Sequence, residues 1–117
     1  MTDQTGNWEA QIRKGWLEVA ILATLWRGRL YGLEIIRELE ARSDLVVAEG
    51  TIYPVLARLR NDGLVEAEWE EAASGHPRRY YKLTPAGRKR TLILARHSNA
   101  FFEKMTALIK PLLGDAK

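Results

Sequence analysis

Two short segments of the sequence concentrate hydrogen-bond donors and positive charge. In one, Thr51 and Arg58 lie on the polar side of an amphipathic segment; in the other, Arg78 and Arg79 follow a turn that contains glycine and proline. A threonine at the start of a helix can donate to a phosphate, and an arginine can bind a phosphate or pair with guanine. These residue types favour contacts with the backbone and base edges of a nucleic acid, and such contacts weaken as salt is added.

The distribution of charge agrees with a polyanionic partner. Residues 1–71 carry 8 basic and 13 acidic side chains, whereas residues 72–117 carry 10 basic and 2 acidic ones, and the net charge is +3. A basic half of this kind is a candidate contact for a nucleic acid. The alternative is a solvated helix face that pairs with the acidic part of the same chain.

The residues that disulfides, enzyme catalysis and metal binding require are absent or few. The 117 residues contain no cysteine and two histidines, His76 and His97, which excludes disulfides and thiolate catalysis and disfavours a metal site. Ser74 and His76 share a flexible turn that holds no catalytic geometry, and no glycine-rich phosphate loop is present. No apolar run approaches the roughly 18 residues of a membrane span, and the N-terminus does not resemble a secretion signal. We expect one small cytoplasmic domain that is not an enzyme and uses no cofactor or metal.

Apolar spacing predicts three helices in the first half of the chain, at about residues 8–27, 31–42 and 50–62. Gly28 and Gly63 supply stops, and Pro54 must lie in the opening turn of its helix because proline has no amide hydrogen. The side chains predicted to turn inward are Leu33, Ile36 and Leu39 of the second helix, with Ile35 as a further candidate, and Ile52, Val55, Leu56 and Leu59 of the third.

The period then changes to two, which predicts a hairpin with strands at residues 64–70 and 79–83 joined by a loose turn. Tyr80 and Tyr81 must point to opposite faces of the returning strand, so one of them belongs to the core. The side chains of the first strand that alternate with glutamates and are expected to face the core are Val65, Ala67 and Trp69.

A last helix begins at Thr84-Pro85, where threonine can cap it and proline fits its first position. It continues to about residue 113 and would be roughly 40 Å long, which is more than a domain of this size can cover. A second copy of the chain is the simplest partner for its apolar seam; the alternative is that the helix folds back onto the first helix of its own chain. The seam consists of Leu94, Phe101, Met105, Leu108, Ile109, Leu112 and Leu113.

The predicted order is three helices, a strand, a basic turn, a strand and a long helix. It describes a mainly α fold with a small β-hairpin, namely a winged helix-turn-helix at residues 8–84 followed by a C-terminal dimerisation helix at residues 85–113. In such a fold the third helix can enter the major groove of DNA while the hairpin, or wing, reaches phosphates or the minor groove. The alternative function is a protein-interaction module that uses the same surfaces without specific DNA binding.

Several separated motifs resemble the PadR family of bacterial transcriptional regulators. The match covers about residues 15–90 in order and with the expected spacing, and the short segment after residue 90 looks like the small branch of the family. The resemblance implies a homodimeric repressor that binds an inverted-repeat operator, and some family members respond to aromatic or cationic hydrophobic molecules near the dimer centre. The matching segments are Leu30-Tyr31-Gly32-Leu33-Glu34-Ile35, Glu49-Gly50-Thr51-Ile52-Tyr53-Pro54-Val55-Leu56, Asp62-Gly63-Leu64-Val65 and Gly75-His76-Pro77-Arg78-Arg79-Tyr80-Tyr81-Lys82-Leu83-Thr84.

The resemblance and the polar side of the third helix together give the candidate DNA contacts. Tyr53 can donate to a phosphate or pack against the second helix, Arg58 can contact DNA or be an exposed helix charge, and Tyr31 can have a structural role in its turn. Arg13 and Lys14 are further candidates near the first helix. The full set of predicted contacts is Tyr31, Gly50, Thr51, Tyr53, Pro54, Arg58, Asn61, His76, Arg78 and Arg79.

A possible effector site lies on the first helix, where Trp8, Ile12 and Trp16 share one face at a spacing of four residues. Two tryptophans per chain could sandwich a flat apolar molecule; the alternative is an ordinary interface core. Family members that bind aromatic drugs often carry a tryptophan about where Ser98 stands here, and the last helix is unusually basic. These two features leave further alternatives open beside the small hydrophobic or aromatic effector, namely no ligand response or a response tuned to an anionic molecule. The residues expected at the dimer interface are Phe101, Met105, Leu108, Ile109 and Leu112.

Overall fold

The computed structural model describes residues 3–43, 46–71 and 73–114. Four helices surround a small sheet, and the elements follow the predicted order with one additional short strand. They are α1 (Asp3–Thr24), β1 (Leu30–Tyr31), α2 (Gly32–Ser43), α3 (Glu49–Asn61), β2 (Val65–Glu71), β3 (Pro77–Leu83) and α4 (Pro85–Gly114). The wing consists of β2, β3 and the turn between them.

The core lies where α1, α2 and α3 meet the base of the wing. Helix α3 supplies Ile52, Leu56 and Leu59, which are fully buried as predicted, while Val55 packs at the edge of the core. Truncating such a side chain removes contacts and leaves a cavity, at a cost of about 2–5 kcal/mol. The other fully buried side chains of this cluster are Ile21, Leu22, Leu25, Ile35 and Val65.

The inward side of α2 differs from the prediction. Ile35 is fully buried and Leu39 is buried, but Leu33 is exposed, so the expectation that Leu33 turns inward is wrong. The buried stripe of α2 runs through Gly32, Ile35 and Leu39, and Ile36 packs against the core. The spacing of three and four residues is kept, and Ile35, the further candidate, is buried where Leu33 is not.

The sheet has three antiparallel strands in the order β1-β3-β2, in place of the predicted two-stranded hairpin. Strand β1 adds Leu30 opposite Tyr81 and Tyr31 opposite Tyr80. Tyr81 is the core tyrosine and Tyr80 is half-buried. Two residues are too few to display an alternating pattern, which is why the sequence did not indicate β1.

The alternation along β2 correctly predicts which residues share a face but not how deeply each side chain is buried. Val65 is buried and Ala67 is half-buried, whereas Trp69 on the same face is 64% exposed, so the expectation that Trp69 faces the core is wrong. The strand extends beyond the helices at this point, and the tryptophan lies on a part of the wing with no core beneath it.

Helix α3 ends as the glycine signal predicts. Gly63 has φ of 77°, and the amide of Leu64 donates to the carbonyl of Leu59 at 2.9 Å. This is the hydrogen bond of a Schellman motif, which needs a residue in the left-handed region and so favours glycine. The chain then turns directly into β2.

The start of α4 is fixed by Thr84, as predicted. Its hydroxyl accepts a hydrogen bond from the amide of Gly87 at 2.9 Å and donates to the carbonyl of Gly63 at 2.7 Å. Gly87 lies so close to the backbone of Leu64 that a Cβ there would come within 2.9 Å of the Leu64 carbonyl carbon. The 30-residue helix then continues for about 45 Å, and only its first half packs against the core, through Leu94 among others.

We predict that Gly87→Ala destabilises the fold by about 1–3 kcal/mol, because the new methyl group overlaps backbone that has no room to move. Thermal unfolding followed by circular dichroism measures the change in melting temperature. Gly50→Ala is the matched control, since nothing lies within 4 Å of a Cβ at that position in α3. Equal melting temperatures for Gly87→Ala and the unchanged protein would contradict the predicted close approach.

Candidate nucleic-acid interface

Helix α3 presents a polar side opposite its buried stripe. Gly50, Thr51, Pro54 and Asn61 are all exposed there, as the spacing predicts. Ala48 at the N-cap makes no side-chain hydrogen bond to the helix, and Glu49 is the acidic residue of the first turn. The exposed side is therefore narrow and made of small groups, which allows close approach of another surface.

Arg58 lies on the flank of α3 that faces α1. Its guanidinium donates to Oε1 of Glu18 at 3.0 Å, and both side chains remain partly open to solvent. An exposed pair of this kind contributes less than about 1 kcal/mol to folding. One Nη of the guanidinium is committed to α1, and the remaining donors are available for a further acceptor.

Tyr53 lies on the opposite flank of α3 and packs against α2. A Cβ added at Gly32 would come within 2.6 Å of the Tyr53 ring, so glycine at this position is what lets the two helices approach. Partial burial raises the pKa of Tyr53, and the nearby Glu49 carboxylate adds to the shift. The hydroxyl is thus protonated at neutral pH and, with the side chain 39% exposed, can donate outward. Packing and phosphate contact are compatible, and the phosphate contact stays a prediction.

The wing presents its basic residues near its tip. Arg78 stacks over the ring of Tyr31 with its guanidinium carbon 4.5 Å from the ring centroid, and Arg79 lies over Trp69 at 5.6 Å. His76 is exposed in the turn. Cation–π contacts of this kind hold an arginine in place while its donors remain free to bind an anion.

Tyr31 has structural partners at the start of α2. Its amide donates to Oε1 of Glu34 at 3.1 Å, and its ring meets Tyr80 edge-on at 5.5 Å between centroids. The structural role in the turn is therefore present. Its ring also lines the cavity described next, so the predicted DNA contact of Tyr31 remains open.

A cavity of about 580 Å³ separates the wing from α2 and α3, and we call it the wing groove. It brings Tyr53 of α3 together with the basic wing residues that the sequence indicated. It also contains Arg37 of α2 and Trp69 of β2, which the sequence did not indicate as site residues. The polar and aromatic side chains that line it are Tyr31, Arg37, Tyr53, Trp69, His76, Arg78, Arg79 and Tyr81.

The structure describes the side chains of only some of the candidate effector residues. The side chains of Trp8, Arg13 and Lys14 lie outside the described part of the chain. Ile12 is exposed. Trp16 stacks on Phe102 of α4, with ring centroids 4.0 Å apart and planes within 8°. Trp16 thus already has an aromatic partner inside its own chain.

The predicted dimer seam lies open along the second half of α4. The side chains of Phe101, Leu108 and Leu112 are 59%, 72% and 73% exposed, and Met105 and Ile109 are exposed beside them. The contact between Trp16 and Phe102 ties α4 to α1 next to Phe101, and the exposed part of the seam continues beyond it to Leu112.

The described ranges contain neither a metal-binding cluster nor a membrane-spanning helix. Within residues 3–43, 46–71 and 73–114, no group of three acidic or histidine side chains is placed to hold a metal ion. Among the helices of the same ranges, none combines the length and apolar character needed to cross a membrane.

Comparison with known proteins agrees with the architecture. The model of the transcriptional regulator PadR-like family matches residues 21–92. A transcriptional regulator of Mycobacterium tuberculosis is 42% identical over 59 residues, which is 50% of this chain and 53% of that protein.

Solved structures match over more of the chain. A PadR-like transcription factor from Bacteroides fragilis is 39% identical with a TM-score of 0.71, over 87% of this chain and 98% of that one. A PadR family transcriptional regulator from Eggerthella lenta is 26% identical with a TM-score of 0.77, over 92% of this chain and 90% of that one. The family match covers more than half of the sequence and includes α2, α3 and the wing. This chain belongs to the PadR-like family of DNA-binding transcriptional regulators.

Proposed function

We propose that the protein is a homodimeric repressor that acts in the cytoplasm and binds an inverted-repeat operator. Helix α3 enters the major groove, and the wing contacts the neighbouring backbone or minor groove. The observation that carries this proposal is the wing groove, which places Tyr53 of α3 beside Arg78 and Arg79 of the wing. A recognition helix and a basic hairpin that share one surface can contact a duplex at the same time.

The open seam of α4 supports the homodimer. The seam repeats large apolar side chains along about 20 Å of helix. Complete burial of one such side chain is favourable by about 1.5–3 kcal/mol relative to leaving it in water. A two-fold interface lets the same seam cover itself. In such a dimer the two α3 helices would lie roughly 34 Å apart, one turn of DNA, which accounts for an inverted-repeat operator.

The candidate effector site adjoins the proposed dimer interface. Because Trp16 is stacked on Phe102, a flat apolar molecule would have to extend that stack or separate its two rings. The exposed Ile12, one helical turn before Trp16, offers an apolar contact on the same face. Relief of repression by a small apolar effector would then act directly on the arrangement of α1 and α4.

The first test is binding to a labelled DNA fragment from upstream of its own gene, compared with a scrambled fragment of equal length. We expect selective binding whose affinity falls steeply with salt, since arginine contacts release counterions. A double change, Arg78→Ala with Arg79→Ala, should weaken binding and reduce the salt dependence. A different result would favour a protein-interaction module: equal affinity for both fragments, no dependence of that affinity on salt, and no loss of affinity in the double variant.

We predict that Leu108→Glu with Leu112→Glu yields a folded monomer that no longer binds the operator tightly. Both side chains are exposed in the single chain, so the change should leave the core intact. It should disrupt only the apolar contact between the seams of the two chains. Analytical ultracentrifugation measures the mass and circular dichroism the fold. Ala107→Glu, at an exposed position on the other side of the same helix, is the control and should remain dimeric. A double variant that stays dimeric would refute the seam as the interface.

We predict that Arg58→Ala weakens operator binding by about 1–3 kcal/mol if the guanidinium contacts a base or phosphate. Its effect on folding should stay below about 1 kcal/mol because the pair with Glu18 is exposed. Arg60→Ala is the matched control, with the same loss of charge on the same helix but outside the predicted contact set. Equal affinities for Arg58→Ala and Arg60→Ala, measured by fluorescence anisotropy, would assign Arg58 to the ion pair alone.

A further inference from the structure

Three glutamates of the wing are matched by cations on their own face of the sheet. Along β2 the glutamates at positions 66, 68 and 70 share one face, because side chains alternate along a strand. Arg29 binds two of them, Glu68 at 3.0 Å and Glu70, and its guanidinium also lies 4.1 Å from the centroid of the Tyr80 ring. Lys82 lies 4.0 Å from the third, Glu66, so these carboxylates are paired within the wing.

The wing groove is lined by residues from both faces of the wing, and this lining is aromatic and basic. Trp69 lies opposite Arg79 in the strand pairing, and both line the groove. Arg37 of α2 and Tyr53 of α3 line its other side. In the described part of the chain, the side chains that line the groove include no carboxylate. The groove is therefore suited to an anion that also offers apolar surface.

Two features of this groove are unexplained by folding alone. Trp69 leaves 64% of its surface in water, on the face that the strand pattern assigns to the interior. Nε of Arg79 is buried and has no hydrogen-bond partner among the described residues. An exposed tryptophan is costly in a free protein, and this cost is relieved if a ligand covers it in the groove. Because Nε of Arg79 is enclosed, a ligand would bind this arginine through its other guanidinium donors.

The position of the groove identifies the ligand. In B-DNA the major and minor grooves are separated by one sugar–phosphate strand, so a protein that places a helix in one and a hairpin at the other must span that strand. The wing groove is the space between this helix and this hairpin. Deoxyribose offers apolar surface and the phosphates offer negative charge, which matches the aromatic and basic lining.

We infer that the wing groove binds one sugar–phosphate strand of the duplex, with Trp69 packed against deoxyribose and Arg37 and Arg79 bound to phosphates. The inference rests on the proposed DNA binding and adds two contacts, Trp69 and Arg37, that neither the sequence motifs nor the family match assign. Because the strand is the same in every sequence, these contacts supply affinity and position but do not read bases.

The test compares Arg37→Gln with Arg42→Gln on operator and on random duplex. Both residues lie on α2, but Arg42 pairs with Glu38 at 3.4 Å and does not line the groove. We expect Arg37→Gln to weaken binding to both duplexes by roughly tenfold and to lower the slope of log affinity against log salt by about 1. Arg42→Gln should leave the affinity within about twofold of the unchanged protein and the salt slope unaltered.

Trp69→Ala tests the apolar half of the same contact. We expect roughly a fivefold loss of affinity for both duplexes with an unchanged salt slope, because the lost contact is apolar. Trp69→Phe should restore part of the affinity. The melting temperature should not fall, since most of the tryptophan surface is already in water. Ethylation interference on the operator locates the bound strand, because ethylation of a contacted phosphate weakens binding. At the phosphates that Arg37 contacts, ethylation should weaken the binding of Arg37→Gln less than it weakens that of the unchanged protein.

The outcomes separate this inference from the proposed function. Wild-type binding to random duplex but no preference for the operator would refute sequence-specific regulation, while the groove variants would still test the strand contact on that duplex. Selective wild-type binding with Arg37→Gln equal to Arg42→Gln and Trp69→Ala equal to wild type would overturn the groove contact alone. Absence of wild-type binding to any duplex would overturn both.

Discussion

The close approach of α4 to the base of the wing organises the DNA-facing half of the molecule. Thr84 bonds to the end of α3 through the carbonyl of Gly63, to the start of the wing through its amide and the carbonyl of Leu64 at 3.1 Å, and to α4 through the amide of Gly87. The absence of a side chain at Gly87 lets these three elements meet. One junction of hydrogen bonds therefore sets the angle of the wing relative to the recognition helix and to the long helix. A shift there would change the width of the wing groove.

The lining of the wing groove contains no carboxylate among the described residues, although β2 carries four glutamates. Glu66, Glu68 and Glu70 share one face of the strand because of its period of two, and Glu71 lies on the other face without lining the groove. Arg29 binds Glu68 and Glu70 and is therefore not available to bind DNA. The positive charge of Arg37 and Arg79 is left on the groove side. The excess of basic residues after position 72 therefore describes the site incompletely, because Arg37 precedes that position.

Local signals were sufficient for most of the elements, and distant ones were needed for the site. Gly63 and Thr84 fix helix ends through bonds to near neighbours in the chain, so the sequence alone placed them. Pro54 lies inside α3, which begins five residues earlier at Glu49, so the expectation that it marks the opening turn is wrong. The exposure of Trp69 depends on where the core stops beneath the strand, which a periodic pattern does not contain. Arg37 joins the groove only because α2 meets the wing, more than thirty residues later in the chain. The same holds for the buried stripe of α2, where the predicted and the observed apolar stripes differ by roughly 40° of helix rotation.

Helix α1 connects the proposed dimer interface to the recognition helix. Two of its side chains only two residues apart face different partners: Trp16 stacks on Phe102 of α4, and Glu18 binds Arg58 of α3 at 3.0 Å. A rotation of α1 that follows α4 must therefore lengthen or shorten the ion pair to α3. Because that pair is exposed and weak, it yields before the apolar core does, so movement at the seam would alter the presentation of Arg58 without unfolding the domain. The wing is anchored separately at Thr84, which allows the recognition helix and the wing to respond unequally to the same movement.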